Sequence, residues 1–512
     1  MAHRHGQPRR RGPRAGHHLP WRPDARATQH VLAHLRGARG GRPGRARLRA
    51  ADGDHASARP AAAQRPRSRP QHLVHRRPVH ARGPAGQCVG GGRPALASLL
   101  ARAGGRRLCL RPTRSNRRRA LVLPGPPRAP KRPVRSRNVR ILVVITKGEA
   151  GGAQTHLLEL CRALAASHRF LVLIGGAEST PLGNALRASG IEVRAIATLG
   201  NSLSPTGALR TVARICDAVQ SWAPDVVHLH SGGAGALGRI AAGLCGVPAV
   251  YTVHGFGFKD AVPPPRRQLA LAVERLLSPL TRHMICVSHH ERSLARRLPI
   301  PSGRVTVIAN GIADSPLRAK PYAARGAVVM VARMAPPKRH DILLAALCVL
   351  RSRGLELPPV VLAGGGPGLP ALRDMANDLG LGSLVELPGD LADVPALLVR
   401  SQVFVLLSDH EGLPISVIEA LRAGLPVLAS DLPGIRTQLD DGHEGWLTRN
   451  NPTEVADALQ RLLTNPQMRE RMGAAARARY ERDFGARAMA ARVEAIYQEL
   501  ARLPGSGRTY AP

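Results

Sequence analysis

Hydrophobic and polar positions alternate in blocks along the chain from Arg140 onward. Short apolar runs, typical of buried strands, are separated by longer segments whose apolar residues recur with helical spacing. The first such pair is the run 141–145 and, after a glycine loop, a helical face that carries Leu157, Leu160 and Leu164. This alternation predicts an α/β protein in which helices cover both faces of a parallel sheet.

The alternating pattern falls into two series on either side of a loop that contains Asn310, Gly311, Pro316 and Pro321. The first series predicts strands near 141–145, 169–174, 226–227, 248–253, 284–287 and 304–308, and helices near 206–220 and 234–244. The second predicts strands near 327–331, 359–363, 384–387, 403–407 and 426–429, and helices near 338–352, 367–379, 414–423, 453–464, 466–480 and 486–502. Two doubly wound halves in tandem leave a cleft between the carboxyl ends of their strands, where we expect a ligand to bind.

Composition separates residues 1–138, the leader, from the rest of the chain. The leader holds 34 Lys and Arg against three Asp, so +31 of the net charge of +41 lies there. It lacks Glu, Ile, Phe and Tyr and is rich in Arg, Pro and Gly, so it cannot build an ordinary core. We interpret it either as a disordered basic arm or as translation upstream of a true start at Val134 or Val139. Because Trp21 is its single Phe, Trp or Tyr residue, nucleic-acid binding by the leader would be non-specific.

Two further features of the composition bear on the compartment. The seven cysteines form no C-x-x-C pair, which favours reduced core thiols over a zinc site or a disulfide framework. No window is apolar over about 18 residues, and the N-terminus has no apolar signal-peptide core. We therefore expect a cytoplasmic protein.

The most informative segment for chemistry runs from residue 408 to residue 427. Glu411 lies in its loop and Glu419 on the following helix, with seven residues between the two carboxylates. A carboxylate can accept hydrogen bonds from two sugar hydroxyls, and the amides of Gly412 and Leu413 at a helix N-terminus favour an anion. The arrangement suits a sugar joined to a phosphate, although a capped helix with incidental surface glutamates has the same spacing.

This segment resembles the motif of the family-four retaining glycosyltransferases, the group 1 glycosyltransferases, in which seven residues separate two glutamates. The loop of that family also reads E-G-[LF]-P, and its helix reads E-A-L-A-x-G-x-P-V. The resemblance implies that Glu411 orients the donor sugar and that Glu419 holds the ribose of the nucleotide. It also implies that Gly412 and Leu413 lie beside the donor.

Further matches to the family occur in the second series. Arg333 and Lys338 resemble the stretch G-R-[LM]-x-x-x-K-G, whose two cations neutralise the diphosphate and would stabilise charge that grows in the transition state. Ala332 and Arg339 replace the two glycines of this stretch, and neither change removes a cation. Gly365 lies in a turn that resembles G-x-G-P, where glycine lets the backbone approach the nucleotide. A basic helix start and a plain turn are the structural alternatives.

The first series carries matches as well. Gly151 and Gly152 resemble the family's G-G-[AS]-[EQ] loop at the interdomain cleft, although a plain strand-to-helix turn looks the same. The resemblance to T-x-H-[GD] implies that His254, at a strand end, faces the donor sugar, while a structural role is the alternative. His228 and His230 match V-x-H-x-H, and we expect them to shape the acceptor cleft rather than to bind a metal ion.

One segment departs from the family pattern. Where the family often has G-G-x-P-E, residues 431–437 have Pro433 in place of the first glycine and Arg436 in place of the proline. Donor contacts at that loop are therefore not implied. The D-x-D signature of metal-dependent glycosyltransferases occurs at residues 52–54 of the leader, where no strand pattern surrounds it. The resemblance implies catalysis with neither a bound metal ion nor another cofactor.

The resemblance implies a GT-B fold, with two Rossmann-like doubly wound domains that face a central cleft and follow the leader. We expect an N-terminal acceptor domain at 139–315, a C-terminal nucleotide-sugar donor domain at 316–485, and a helix at 486–505 that packs back on the N-terminal domain. The implied activity moves a sugar, with retention, from a nucleoside diphosphate sugar to a glycan or lipid-linked acceptor in cell-surface polysaccharide synthesis. A nucleotide-sugar epimerase of the same fold and an inactive scaffold are the alternatives.

The segment 266–280 combines arginines with apolar residues, which are Leu269, Leu271, Val273, Leu276 and Leu277. A basic amphipathic helix can lie on an anionic leaflet, which predicts peripheral contact with the inner face of the plasma membrane. The alternative is that the leucines pack on the sheet, because any covering helix needs an apolar face.

Overall fold

The computed structural model describes residues 138–503 except 201–203, 261 and 324. The leader, apart from its last residue, and the D-x-D at 52–54 lie outside the described residues. The described part contains two parallel sheets, each packed between helices. The predicted α/β class with two doubly wound domains is confirmed.

The first sheet has seven strands in the order β3-β2-β1-β4-β5-β6-β7. Its strands are β1 (Arg140–Ile145), β2 (Arg169–Gly175), β3 (Glu192–Ile196), β4 (Val226–His230), β5 (Ala249–Val253), β6 (His283–Cys286) and β7 (Val305–Val307). Its helices are α1 (Gly152–Leu164), α2 (Pro181–Arg187), α3 (Pro205–Trp222), α4 (Gly232–Leu244), α5 (Pro264–Leu277) and α6 (His289–Ala295). Because β1 pairs with β2 on one side and β4 on the other and is covered on both faces, its sequence is a continuous apolar run.

The second sheet has six strands in the order β10-β9-β8-β11-β12-β13. They are β8 (Ala327–Val331), β9 (Val360–Ala363), β10 (Val385–Gly389), β11 (Ser401–Leu406), β12 (Val427–Ser430) and β13 (Gly445–Thr448). The helices that follow β8 along the chain are α7 (His340–Ser352), α8 (Leu369–Asp378), α9 (Val394–Val399), α10 (Ile415–Ala423), α11 (Pro452–Thr464), α12 (Pro466–Asp483) and α13 (Ala486–Leu500). The central strands β8 and β11 pair in parallel.

The strand order reverses at the same point in both sheets. In the first sheet the reversal lies between β1 and β4, and in the second it lies between β8 and β11. Loops that leave the carboxyl ends of two such strands run in opposite directions, which opens a crevice between them. The two crevices contribute to one cleft between the domains.

The last helix, α13, follows the second domain along the chain but packs on the first. Its Val493 and Tyr497 are fully buried in the same apolar cluster as Leu157 of α1 and Val143 of β1. The helix therefore ties the end of the chain to the first domain. The exact domain limits stay predictions.

Two of the four edge strands, β3 and β13, have no counterpart among the predicted elements. Side chains of β3 alternate between exposed and partly exposed until Ile196, and three of the four in β13 are only partly buried. Neither strand has the continuous apolar run that marks the central strands, because an edge strand is covered less completely. In the described residues, no helix is long and apolar enough to cross a membrane.

Candidate active site

A cleft of about 560 Å³ lies between the domains, at the carboxyl ends of the central strands. The loop after β1 and the residue after β5 line it from the first domain, and the loops after β8, β9 and β11 line it from the second. The structure places all ten predicted site residues along this cleft: Gly151, Gly152, His254, Arg333, Lys338, Gly365, Glu411, Gly412, Leu413 and Glu419. The role of each residue there stays a prediction.

The loop between β11 and α10 contacts the first domain through bare backbone at Gly412. A Cβ atom at this position would lie 2.0 Å from the carbonyl oxygen of His254, so a larger residue does not fit. Gly434 approaches the same loop, and a Cβ there would lie 2.4 Å from the carbonyl oxygen of Gly412. The segment that departs from the family at Pro433 and Arg436 therefore keeps the glycine that this packing requires.

Glu411 and Lys338 form an ion pair inside the cleft. Nζ of Lys338 lies 2.5 Å from Oε1 of Glu411, and the two side chains are 16% and 11% exposed. Because the pair is largely shielded from water, its charges interact more strongly than those of a surface pair. Lys338 can therefore orient the Glu411 carboxylate while its charge also acts on an anion in the cleft.

Arg333, the other predicted diphosphate ligand, is far more accessible than Lys338. Its side chain is 59% exposed, and it forms an ion pair of 3.6 Å with Glu149 in the loop after β1. An exposed pair of this length contributes little to stability. Arg333 can therefore exchange Glu149 for another anion with little loss of stability.

Glu419 lies on α10 and also lines the cleft. Burial raises the pKa of its carboxyl to about 7, an effect that Arg422 opposes and Glu159 reinforces. Hydroxyl groups that donate to the ionised carboxylate would favour that form and lower the pKa again. Binding of hydroxyl groups at Glu419 would therefore be coupled to loss of a proton near neutral pH.

Three consecutive glycines after β9 carry the chain past the end of β8. Gly364 and Gly366 have φ values of 137° and 144°, which L side chains rarely adopt. The amide of Gly365 donates a hydrogen bond of 2.5 Å to Oδ1 of Asp390, and a Cβ at Gly365 would lie 2.6 Å from the Asp390 carboxylate. The turn thus presents bare backbone and one carboxylate to the cleft.

The first domain contains a cluster of neutral histidines, of which His254 lines the cleft. Nδ1 of His230 and Nε2 of His254 lie 3.1 Å apart and share a hydrogen bond. Burial lowers the pKa of His156 to about 4 and places those of His230 and His254 well below the ordinary value. These imidazoles are therefore uncharged at neutral pH and serve as hydrogen-bonding groups.

Neither His228 nor His230 lines the cleft, which differs from the expectation that both help to shape it. Nδ1 of His228 lies 2.5 Å from the hydroxyl of Tyr497, and its Nε2 lies 2.7 Å from the hydroxyl of Thr252. Both ring nitrogens are occupied by these contacts, so His228 links α13 to the sheet. His230 is also fully buried and contacts the cleft residue His254 from behind.

His156, His230 and His254 are the described residues that are arranged to hold a metal ion. Their ligand atoms all lie within 4.8 Å of one another, and neutral imidazole is the form that binds metals. Nδ1 of His230 bonds to His254, whereas Nε2 of His230 and both ring nitrogens of His156 have no hydrogen-bond partner among the described residues. The expectation that catalysis needs no metal ion stays a prediction.

Three cleft residues have no motif that singles them out in the sequence: Glu149, Asn310 and Asp390. Asp390 directly follows β10, so the rule that ligands bind at the carboxyl ends of parallel strands could have identified it. His156, beneath the cleft, lies one helical turn after Gly152, and that spacing is the signal that could have placed it near the glycine loop.

Two family profiles match the chain in the order of its domains. The profile for "Glycosyl transferase 4-like domain" matches residues 151–311, and "Glycosyl transferases group 1" matches residues 320–479. A D-inositol 3-phosphate glycosyltransferase of Streptomyces coelicolor is 30% identical over 404 residues, which cover 68% of this chain and 87% of that protein. This chain belongs to the group 1 glycosyltransferases.

The glycosyltransferase is also similar to a second named enzyme and to proteins of solved structure. An Escherichia coli enzyme, UDP-Gal:alpha-D-GlcNAc-diphosphoundecaprenol alpha-1,3-galactosyltransferase, is 29% identical over 292 residues, which cover 54% of this chain and 75% of that protein. Among solved structures, Anabaena HepE in complex with UDP and glucose has a TM-score of 0.62 and 20% identity, covering 71% of this chain and all of HepE. Sucrose-phosphate synthase of Thermosynechococcus elongatus has a TM-score of 0.62 and 19% identity, covering 71% of this chain and 99% of the synthase. These structures establish the GT-B fold of the glycosyltransferase.

Proposed function

We propose that the enzyme transfers a sugar from a nucleoside diphosphate sugar to a glycan or lipid-linked acceptor, with retention and without a metal ion or other cofactor. The observation that carries this proposal is that Arg333, Lys338, Glu411 and Glu419 line one cleft. Guanidinium and ammonium groups suit a diphosphate, and carboxylates suit sugar and ribose hydroxyls. The N-terminus of α10, at the same cleft, favours the same anion.

In the proposed reaction, the bond between the anomeric carbon and the diphosphate oxygen breaks. The acceptor oxygen forms its bond to the same face of that carbon, and its proton passes to the leaving phosphate. Arg333 and Lys338 stabilise the charge that develops on the diphosphate. Glu411 orients the sugar, Glu419 holds the ribose, and His254 faces the sugar as a neutral hydrogen-bonding group.

The activity is tested with the full-length enzyme in two steps. A thermal-shift screen of nucleotide sugars first identifies the donor, which is then labelled in its sugar and incubated with and without glycan and lipid-linked acceptors. Label that moves to an acceptor, with an anomeric configuration equal to that of the donor by NMR and with no loss in EDTA, supports the proposal. A sugar isomer that forms without an acceptor would instead indicate the epimerase.

We further propose that the enzyme works on cell-surface polysaccharide at the cytoplasmic face of the membrane. The Escherichia coli relative is named for a diphosphoundecaprenol acceptor, which is a lipid. On α5, Leu269 and Leu276 are 67% and 77% exposed, whereas Leu277 is buried. The helix therefore has an outward apolar surface as well as an inward one, and the exposed Arg266 and Arg275 add positive charge. Both features suit an anionic leaflet.

Vesicle sedimentation tests this membrane contact. The double variant Leu269→Ser/Leu276→Ser should bind anionic vesicles less than the wild type does, because it removes apolar area from the outward surface. Leu209→Ser is the matched control, since Leu209 is equally exposed on α3. All three proteins carry the same basic leader, so its attraction to the vesicles cancels. Equal sedimentation of the double variant and the wild type would exclude α5 as a membrane contact.

A further inference from the structure

Lys259 is a buried cation that does not line the cleft. It lies in the acceptor domain, in the loop after β5, and forms an ion pair with Oε1 of Glu291. The two side chains are 8% and 0% exposed. Nζ of Lys259 also donates a hydrogen bond of 3.2 Å to the backbone carbonyl of Glu411. One buried cation thus connects a carboxylate of the first domain to the loop between β11 and α10 of the second, residues 407–414, which we call the donor loop.

The local sequence alone would assign Glu291 a different role. Ser288 accepts a hydrogen bond of 3.3 Å from the amide of Glu291 and caps α6, and Ser and Glu at this spacing form a capping box. In a capping box the glutamate side chain turns back to the amide of the capping residue. Here Oε2 of Glu291 accepts from the amide of Phe256 at 3.0 Å, and Oε1 faces Lys259. The side chain therefore holds the loop that carries Lys259.

The donor loop is held through its carbonyl groups. Nδ2 of Asn310 donates to the carbonyl of Leu413 at 2.8 Å, and Nε2 of Gln438 donates to that of Pro414 at 2.9 Å. Lys259 is the donor to the carbonyl of Glu411, the residue whose carboxylate points into the cleft. A shift of this carbonyl moves the Cα of Glu411 and therefore its carboxylate. A charge-assisted hydrogen bond at a buried position resists that shift more than a neutral one would.

We propose that Lys259, held in place by Glu291, is a positioning residue for sugar transfer. It fixes the backbone of Glu411 from the opposite domain and thereby sets the orientation of the carboxylate that the proposed function assigns to the donor sugar. The consequence for sugar binding rests on that proposed function, whereas the restraint on the loop does not. Lys259 acts through Glu411 and makes no contact with the substrate.

The decisive variant is Lys259→Met/Glu291→Gln. Lys259→Met alone leaves a buried carboxylate without its counter-ion and is expected to destabilise the domain. The double variant removes both charges, and the glutamine can still accept from the amide of Phe256. Lys147→Met is the control, because Lys147 is a partly exposed lysine of the loop after β1 that pairs with another carboxylate, Glu149.

Hydrogen–deuterium exchange of the ligand-free, full-length enzyme tests the restraint itself. The amides of Ser408 and Asp409, which belong to the same loop and donate to Ser430 and Pro337, should exchange about tenfold faster in the double variant, because the loop loses one of its carbonyl contacts. Exchange there should not change in Lys147→Met. Unchanged exchange in the double variant would overturn the proposal whatever the enzyme binds.

Calorimetry with UDP and UDP-glucose tests the consequence. The double substitution should lower the affinity for UDP-glucose about tenfold more than it lowers the affinity for UDP, because Glu411 acts on the sugar and not on the nucleotide. In a Glu411→Ala background, the double substitution should cause no further loss. An equal loss for both probes would make Lys259 merely structural. If the wild type binds neither probe, the choice of donor is wrong. The exchange experiment alone then tests whether Lys259 restrains the loop.

Discussion

The first and second domains share a strand order but differ in the charge that they bring to the cleft. In the first domain, His254 lines the cleft and His230 lies behind it at the end of β4, and burial keeps both neutral. In the second domain, Arg333, Lys338 and Glu411 occupy the loops after β8 and β11 and carry formal charges. The comparison shows that the fold supplies the crevice, while residue types at the strand ends decide which substrate group each side can bind.

The difference follows from the physics of burial. A neutral imidazole can be enclosed at a lower cost than an ion, and one ring nitrogen of His230 bonds to His254. A charged group needs a counter-ion or water, and Lys338 has Glu411 while Arg333 stays exposed. The side of the cleft formed by the second domain can therefore bind an anion, whereas the side formed by the first domain offers uncharged hydrogen-bonding groups.

The largest effect is expected from removing a charge on the donor side. Lys338→Ala should lower kcat for transfer by about 10²- to 10³-fold, because the ammonium stabilises charge that grows on the diphosphate. Arg333→Ala should lower it less, since an exposed guanidinium is screened by water. The exposed Lys320→Ala is the control in the same domain. If Lys338→Ala had the turnover of the wild type, the charge of the second domain would not act in the reaction, and the contrast with the first domain would be wrong.

A smaller effect is expected at the nucleotide. Glu419→Ala should weaken donor binding by about 10- to 150-fold with the fold intact, because it removes charge-assisted hydrogen bonds of about 1.5 to 3 kcal/mol. Calorimetry with the donor identified by the thermal-shift screen measures this change. The exposed Glu386→Ala should bind like the wild type. Equal affinities for all three proteins would exclude the carboxylate from the ribose site.

The Glu419 carboxyl should also make the donor affinity depend on pH. The pKa of Glu419 is raised to about 7, and the ionised form is the one that accepts hydroxyl hydrogen bonds. Donor affinity should therefore fall as the pH decreases through 7. Glu419→Gln should bind more weakly and show a flatter dependence in the same titration. A wild-type affinity that is constant across neutral pH would contradict the assignment.

The histidine cluster of the first domain should affect the stability of the protein at acid pH. The pKa of His156 is about 4 in the folded protein against 6.5 for an ordinary histidine, so the unfolded chain binds more protons between these values. The contribution of neutral His156 to the free energy of unfolding is complete above about pH 6.5 and is lost as the pH falls towards 4. Glu419, whose pKa is raised, contributes with the opposite sign. The melting temperature of His156→Gln should decrease less between pH 7 and pH 5 than that of the wild type or of the exposed control His289→Gln.

The smallest effect is expected outside both domains. Deletion of residues 1–138 should leave transfer unchanged, because every strand and every cleft residue described lies after them. Activity and solubility of the shortened protein measure this outcome. Loss of either one would show that the leader contributes to the enzyme.

The central strands could be predicted from the sequence because a strand that is buried on both faces is apolar at nearly every position. The runs 141–145 and 327–331 are apolar at nearly every position, and both became strands at the middle of a sheet. Two of the four edge strands, β3 and β13, could not be predicted in this way, since partial exposure allows polar residues at many positions. The ten predicted site residues reached one cleft because the glycine turns and Glu411 lie at strand ends, where the parallel fold brings them together, and Glu419 lies on the helix that follows.

The sequence by itself determined the alternation of strands and helices, the two glutamates with their glycine loop, and the cations that follow β8. These features are local, so a short stretch of chain contains all the information that they need. Only the tertiary structure decided that Lys259 holds the carbonyl of Glu411, 152 residues away, and that His156 lies beside His230. Contacts of this kind depend on how two sheets and their covering helices pack, and packing is a property of the whole chain that no local pattern records.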